Sequence, residues 1–184
     1  MRKVFAGLFI SLDGVVEAPY LWQFDMFDED MEDAMFKLLA DIDTVLLGRV
    51  TYQEWAAYWP NATTDGEYAD FINNSPKYVA STTLTHVDEW QNSTLIGADV
   101  EATVNRLKAE PGGTISVQGS PTLIRYLLSV GLLDELTLSI HPVVAGTGKR
   151  LFSDQSPLTR MDLVDSRITG RGVAILTYRP RRGE

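Results

Sequence analysis

The sequence predicts an α/β fold: a mostly parallel central sheet with helices on its faces, finished by antiparallel strands at the C-terminal end. Three observations predict it. Strand-like apolar runs alternate with stretches of helical period. Three of those stretches carry apolar residues at spacings of three and four, which is the stripe a helix lays on a sheet. The last part of the chain changes character, with strand-like runs following one another around a Gly-Arg-Gly turn.

The first strand is read over Lys3 to Ser11, from the apolar run Val4-Phe5-Ala6-Gly7-Leu8-Phe9-Ile10. After Met1-Arg2-Lys3 this run has the outline of a signal peptide, but Asp13 and Glu17 interrupt it and no convincing cleavage site follows. From about Met26 to Asp41 the residues Phe27, Met31, Ala34, Met35, Leu38, Leu39 and Ile42 form one stripe, predicting a helix that packs on the sheet. Thr44 to Leu47 is the second strand, stopping at Gly48 where another helix starts, and Lys77 to Ser81 is the third. Val100 to Lys108 reads as a helix that Pro111-Gly112-Gly113 terminates, followed by a strand over Thr114 to Val117.

The next helix, Pro121 to Val130, has Ser120 in N-cap position and proline at its first residue, and it ends at Gly131, where a left-handed cap costs little. Glu135 to Ile140, Leu163 to Thr169 and Val173 to Tyr178 are the final strands, the last two forming a hairpin about Gly170-Arg171-Gly172. No repeat, low-complexity tract or linker marks a second domain, so residues 1–180 read as one domain. The run Arg179-Pro180-Arg181-Arg182-Gly183-Glu184 reads as a loose, solvated tail, with residues 181–184 outside that domain.

Composition removes several functions. The 25 acidic residues against 16 basic ones give a formal charge of −9, which repels the phosphates of DNA or RNA. Cysteine is absent, which excludes disulfides, thiolate nucleophiles and Cys-ligated metals and fits a reducing, cytoplasmic compartment. No window reaches the ~20 apolar residues of a membrane span. His86 and His141 are the two histidines and form no H-E-x-x-H pair, so no metal site is expected. There is no G-x-S-x-G elbow, no G-x-G-x-x-G fingerprint and no Walker A sequence.

In an open α/β sheet, ligands gather outside the carboxyl ends of the parallel strands, where loop amides and helix N-termini point. Three strand ends here are equipped for that. Leu46-Leu47-Gly48-Arg49-Val50-Thr51 delivers an arginine and a hydroxyl to a helix start; Arg49 can fork onto a phosphate or serve as a surface residue of an ordinary turn. Val79-Ala80-Ser81-Thr82-Thr83 ends a strand in three hydroxyls, suited to a phosphate or ribose and equally to a plain turn. Ile115-Ser116-Val117-Gln118-Gly119-Ser120-Pro121-Thr122 joins a buried strand to a well-capped helix; Gly119 would let a pyrophosphate approach the backbone closely, and simple capping explains the same pattern.

Asp28 and Glu32 stand one turn apart at the edge of the first helix's stripe, while Asp30, Asp33 and Asp41 point away from it. A half-buried carboxylate there would bind or protonate a nitrogen heterocycle; a solvated one would do neither. Trp22, Phe24, Trp55, Tyr58 and Trp59 cluster in and beside the loops at the sheet edge, as lining for a flat ligand or as packing.

In order along the chain, Phe9-Ile10-Ser11-Leu12-Asp13-Gly14, Leu47-Gly48-Arg49-Val50-Thr51-Tyr52, Ala80-Ser81-Thr82 and Gln118-Gly119-Ser120 resemble the dihydrofolate reductase-like family, in particular its riboflavin-biosynthesis reductase branch. Gly131-Leu132-Leu133-Asp134-Glu135-Leu136 and the stretch from His141 to Phe152 resemble that branch's ending, so the likeness runs from Lys3 to about Tyr178. It implies a three-layer α/β/α fold and a reductase using NADPH on a small heterocyclic or carbonyl-type substrate, such as a pterin, a pyrimidine or a riboflavin precursor. By the same resemblance, Gly48, Arg49 and Thr51 would approach the cofactor's phosphates and Ser81 and Thr82 its adenosine 2′-phosphate. Gln118, Gly119, Ser120 and Thr122 would approach the pyrophosphate, with Ser11, Asp13 and Gly14 in a mobile loop near the nicotinamide.

Where many relatives carry paired glycines, this chain has Gly119-Ser120. Laid over the pterin-binding helix of dihydrofolate reductases, the stretch from Glu32 to Lys37 brings Glu32 to the catalytic carboxylate's place, with Trp22, Asp28, Phe36 and Trp55 as substrate contacts and Asp13 as a second candidate catalytic group. No deaminase segment stands ahead of Met1, so the expectation is the reductase part of a bifunctional riboflavin enzyme, a stand-alone member. A homodimer is expected by the same analogy. The alternative is a non-catalytic member that keeps the fold and binds a nucleotide or planar ligand.

Overall fold

The computed structural model describes residues 1–63, 66–153 and 156–181. Among these residues eight strands form one sheet: β1 (Val4–Ser11), β2 (Ile42–Gly48), β3 (Lys77–Ala80), β4 (Ser93–Leu95), β5 (Thr114–Val117), β6 (Glu135–His141), β7 (Met161–Ile168) and β8 (Ala174–Pro180). Their order is β4-β3-β2-β5-β1-β6-β8-β7. β1 to β6 run parallel, and β8 joins antiparallel to both β6 and β7, so the expected antiparallel finish is observed.

Among the described residues five α-helices cover the sheet: α1 (Glu29–Leu39), α2 (Arg49–Tyr58), α3 (Gly66–Asn74), α4 (Val100–Ala109) and α5 (Pro121–Ser129). Because strand side chains alternate between faces, Val4, Ala6 and Ile10 of β1 and Ile115 and Val117 of β5 share one face. There they pack under Val104 and Leu107 of α4 and Ile124 and Leu127 of α5. On the opposite face α2 and α3 cover β2 and β3, where Tyr52 and Ile72 meet Val45, Leu47 and Val79. Farther along that face, Met31 of α1 packs on Val173 and Ile175 beside Phe9.

Between α1 and α2 the centre of this second face has a different chemistry. Phe5 is opposite Ser116, Gly7 opposite Thr137, Phe9 opposite Ser139 and Ser11 opposite His141. Ser116, Thr137, Ser139, His141 and Ser11 are all buried, so a strip of small polar side chains lies where the helices part. Buried polar groups are costly without partners, and most here have one: Gln118 donates to the Ser116 hydroxyl and the Thr137 and Thr177 hydroxyls are 2.8 Å apart.

Several expectations need correction. The helix expected from Met26 begins at Glu29, because Phe24–Met26 forms a separate 3₁₀ turn and Asp28 takes extended φ/ψ as the N-cap, accepting from Met31 N at 3.0 Å. α3 and the three-residue edge strand β4 were not expected; the signal for α3 was Tyr68, Ala69, Phe71 and Ile72 at helical spacing, shortened by Gly66 and Asn74. Arg179 and Pro180 belong to β8 rather than to a loose tail, Arg179 binding Glu135 through two nitrogens. Arg181 is also held, its Nε donating to Asp162 at 2.6 Å. The remaining tail, residues 182–184, lies outside the described residues. No helix among the described residues is long and apolar enough to cross a membrane.

Candidate active site

The carboxyl ends of β2 and β5 are the point where two helices start side by side. β2 stops at Gly48, the N-cap of α2, and β5 leads through Gln118 and Gly119 to Ser120, the N-cap of α5. Gly48 N donates to Gly119 O at 2.8 Å, tying the two starts together. The contact is tight enough to require glycine on both sides. A Cβ on Gly48 would lie 2.6 Å from Ser120 Oγ, and one on Gly119, whose φ is +128°, would lie 2.8 Å from Thr51 Oγ1. The Gly119–Ser120 peptide is cis.

The two N-termini are finished differently. Ser120 Oγ accepts from Leu123 N at 3.4 Å, and Pro121 occupies the first turn of α5. α2 has no side-chain cap, so its first N–H groups are free to bind an anion, and each helix start carries roughly half a positive charge. Arg49, exposed and holding Gln53 Oε1 at 2.8 Å, adds a full charge at that end.

From Arg49 a groove of about 480 Å³ runs past Ala80, Ser81, Thr82 and Thr83 to Gly97, Val100 and Tyr126. Ser81 Oγ accepts from Thr83 N and Leu84 N, making a local turn that leaves Thr82 exposed. Tyr126 is fixed across α5 and α4 by donating to Glu101 at 2.6 Å. Sequence reasoning singled out Arg49, Ser81, Thr82 and Thr83 but missed Gly97 and Tyr126; the turn Gly97-Ala98-Asp99 before α4 was the available signal. Thr122 is exposed on α5 and accepts from Arg125, and Gln118 is half-buried.

Around β1 the residues expected to do chemistry are already engaged. Ser11 Oγ donates to Asp13 and accepts from Val15 N, closing a turn in which Gly14 has φ +84°. The Asp13 carboxylate also accepts from Ala145 N and Gly146 N, both at 2.9 Å, and faces Arg150. The Ser11 hydroxyl first, and then the Ala145 amide, hold Asp13 down to about 2 from the usual 3.8. It is therefore ionised at neutral pH, and this candidate catalytic group acts as a clamp between two loops. With a folded value below the unfolded one, its stabilisation is complete above 3.8 and is lost as pH falls toward 2. The stability difference between wild type and Asp13→Asn, from urea midpoints, should shrink across that interval and stay constant above it.

The α1 carboxylates are likewise reassigned. Asp28 caps α1 with one oxygen and accepts from Arg171 N with the other, so it serves the β7–β8 hairpin rather than a substrate. Asp30, expected to point away, binds Arg167 and Gly170 N on the same hairpin. Glu32 is exposed, so the half-buried carboxylate that its spacing allowed is not formed. Phe36 is also exposed on α1.

The aromatic residues separate into two groups. Trp55 packs on Trp59 at 5.8 Å, and Trp59 meets Tyr58 and Tyr68 at 5.0 Å each, so Trp55 belongs to the α2–α3 packing and not to the site. Trp22 stays at the β1–β6 end, its ring 5.3 Å from His141. A second, larger groove of about 740 Å³ lies at the opposite edge of the sheet. It is lined by paired charges: Lys3–Glu135 and Arg181–Asp162 hold the chain ends to β6 and β7, and Lys108–Asp134 ties α4 to the residue before β6. No group of three His, Asp or Glu residues that could hold a metal occurs among the described residues.

Comparison with known proteins adds the following. The profile of the RibD C-terminal domain matches residues 2–175. An uncharacterised protein of Bacillus subtilis (strain 168), YyaP, is 33% identical over 180 residues, covering 96% of this chain and 94% of its own. Among solved structures, a Shewanella sp. PV-4 protein provisionally assigned to riboflavin biosynthesis superposes with TM-score 0.80 at 19% identity, over 98% of this chain and 100% of that one. Enterococcus faecalis dihydrofolate reductase, solved with NADP(H), superposes with TM-score 0.65 at 15% identity, over 98% and 97% of the two chains. At these identities the two structures establish a shared dihydrofolate reductase-like fold.

Proposed function

This chain belongs to the RibD C-terminal domain family, and from that membership and the geometry above we propose that it is an NADPH-dependent reductase acting on a small heterocyclic or carbonyl-type substrate in the cytoplasm. The observation that carries the reading is the glycine-lined junction where the uncapped start of α2 meets the start of α5, continuous with the groove from Arg49 to Thr83. This donor set suits a dinucleotide phosphate. The N–H groups after Gly48, the Thr51 hydroxyl and Arg49 would hold its phosphates; Ser81 and Thr82, beside Arg49, would meet an adenosine 2′-phosphate. Gly119, Ser120, Gln118 and Thr122 would border the pyrophosphate, and the Ser11–Gly14 turn the nicotinamide end.

Bound NADPH would supply the hydride, and the protein's part is to position it and exclude water. A ribosylaminouracil-type reduction, the 5-amino-6-(5-phosphoribosylamino)uracil reductase activity, is one member of the proposed class. The exposure of Glu32 and the engagement of Asp13 and Asp28 favour keeping a second reading, a member that binds the nucleotide without turnover. Consumption of NADPH with any of a panel of pterins, pyrimidines and carbonyl compounds excludes that second reading.

Arg49→Ala tests the cofactor assignment. It removes a charge-assisted contact and should weaken NADPH binding about 10- to 100-fold, with little change in thermal stability. Equal NADPH affinity in wild type and variant would remove Arg49 from the phosphate site. We take the working species to be a homodimer; a light-scattering mass equal to that of the monomer would overturn this.

A further inference from the structure

His141 closes the polar strip at the carboxyl end of β6, opposite Ser11, and is fully buried. Its imidazole stands edge-on to Phe9 at 5.6 Å and to Trp22 at 5.3 Å. One nitrogen is accounted for: Nδ1 lies 3.0 Å from Ser139 O. A carbonyl oxygen accepts and never donates, so Nδ1 carries the proton and, in the neutral ring, Nε2 is left as an acceptor. Burial pushes the ring toward that neutral form, against a weaker pull from Asp25.

Among the described residues, three buried side-chain polar atoms have no partner: Gln23 Oε1, Ser93 Oγ and His141 Nε2. Gln23, which carries the first of these atoms, directly follows the Trp22 whose ring meets that of His141 edge-on. Gln23 Oε1 and His141 Nε2 are both acceptors. The segment that carries Trp22 and Gln23 consists of two single 3₁₀ turns, Pro19–Leu21 and Phe24–Met26, with no buried residue in either. Tyr20, Leu21 and Phe24 on it are largely exposed. The second turn is held by Met26 against the Met31 cluster, whereas Trp22 between the two turns is only half-buried, so a ligand can reach Nε2 by displacing the Trp22 side chain.

We infer that His141 Nε2, together with Gln23 Oε1, is the substrate-recognition pair of this site and takes N–H or amino donors from a planar heterocycle that enters between Phe9 and Trp22. The inference rests on the reductase reading and narrows it to donor-bearing rings. A simple carbonyl substrate offers these two acceptors nothing, because every group involved would be an acceptor. The aromatic edges of Phe9 and Trp22 would meet the flat ring, and the acceptor pair would set its orientation.

The test uses the full chain with NADPH present and histidines labelled with ¹⁵N. The two histidines give two imidazoles, and exposed His86 serves as the internal control. The probe is 6-aminouracil, which carries ring N–H and amino donors; 1,3-dimethyluracil, which carries none, is the matched ring. The expected result is a saturable shift of the His141 Nε2 resonance with 6-aminouracil, a stationary His86, and no saturable shift with the methylated ring. His141→Asn keeps a donor near the Nδ1 position for Ser139 O and lacks the outer acceptor, so it should weaken 6-aminouracil about tenfold. His141→Gln can return an acceptor to the Nε2 position and should recover most of the affinity.

A bound 6-aminouracil that leaves the Nε2 resonance in place, equal binding of the two rings, or no binding of 6-aminouracil while NADPH binds normally would each overturn the inference. NADPH binding is followed in the same samples by nucleotide fluorescence. Failure of the reductase reading therefore shows separately, as absent NADPH binding.

Discussion

Gly119→Val is expected to abolish saturable NADPH binding and to lower stability by about 2 kcal/mol or more, measured by nucleotide fluorescence and urea unfolding. Two independent features give the same sign. Gly119 has φ +128°, a backbone conformation that a β-branched residue strongly resists. Its Cβ would also lie 2.8 Å from Thr51 Oγ1, in the first turn of α2. Relief requires moving Thr51, or parting the β2 and β5 ends that Gly48 N and Gly119 O hold at 2.8 Å. Either movement separates the two helix starts on which the proposed phosphate site depends. A valine variant with wild-type NADPH affinity would show that the junction is not the cofactor's seat.

The largest stability effect is expected at Trp90, where Trp90→Ala should cost about 3–5 kcal/mol. The ring is buried; its Nε1 donates to Asn73 Oδ1 at 2.7 Å, and Lys77 Nζ lies 4.5 Å from its centroid. Lys77 is itself fully buried and donates to the carbonyls of Ile72, Asn73 and Ser75, finishing the end of α3. Removing the indole leaves a cavity, an unpaired Asn73 oxygen and an ammonium without its aromatic neighbour. Tyr52 of α2 packs 6.4 Å from the same ring, so the loss reaches the helix whose start bears Arg49. Urea unfolding should show the destabilisation, with NADPH affinity falling as well. Unchanged affinity in a strongly destabilised variant would separate the packing of α2 from the site.

The fold was legible because its signals were local and strong. The alternation of Val4-Ala6-Leu8-Ile10 with Phe5-Gly7-Phe9, the stripe of Leu123, Ile124 and Leu127, and the capped start at Ser120-Pro121 each demand one kind of element. α3 was less legible because it is short and ends in Asn73-Asn74, and the start of α1 because Phe27 continued the stripe beyond the Asp28 cap.

The residues of the strand-end junction and groove were legible for a related reason. Arg49, Ser81, Thr82, Gly119 and Ser120 sit at strand ends, and in a parallel sheet strand ends share an edge. What the sequence concealed were commitments made across the chain. Asp13 is consumed by Ala145 and Gly146, and Asp28 by Arg171, through contacts that no local pattern records. The turn of α2 that directs Trp55 toward Trp59 depends on packing against α3, and the unpartnered Nε2 of His141 depends on where Ser139 places its carbonyl.

The central claim is most directly tested by titrating the purified chain with NADPH and, separately, with NADH while following nucleotide fluorescence and thermal stability. Saturable binding and stabilisation by NADPH, stronger than by NADH and weakened by Arg49→Ala, is the predicted result. No saturable binding of either nucleotide would contradict the reductase assignment and leave the fold alone standing.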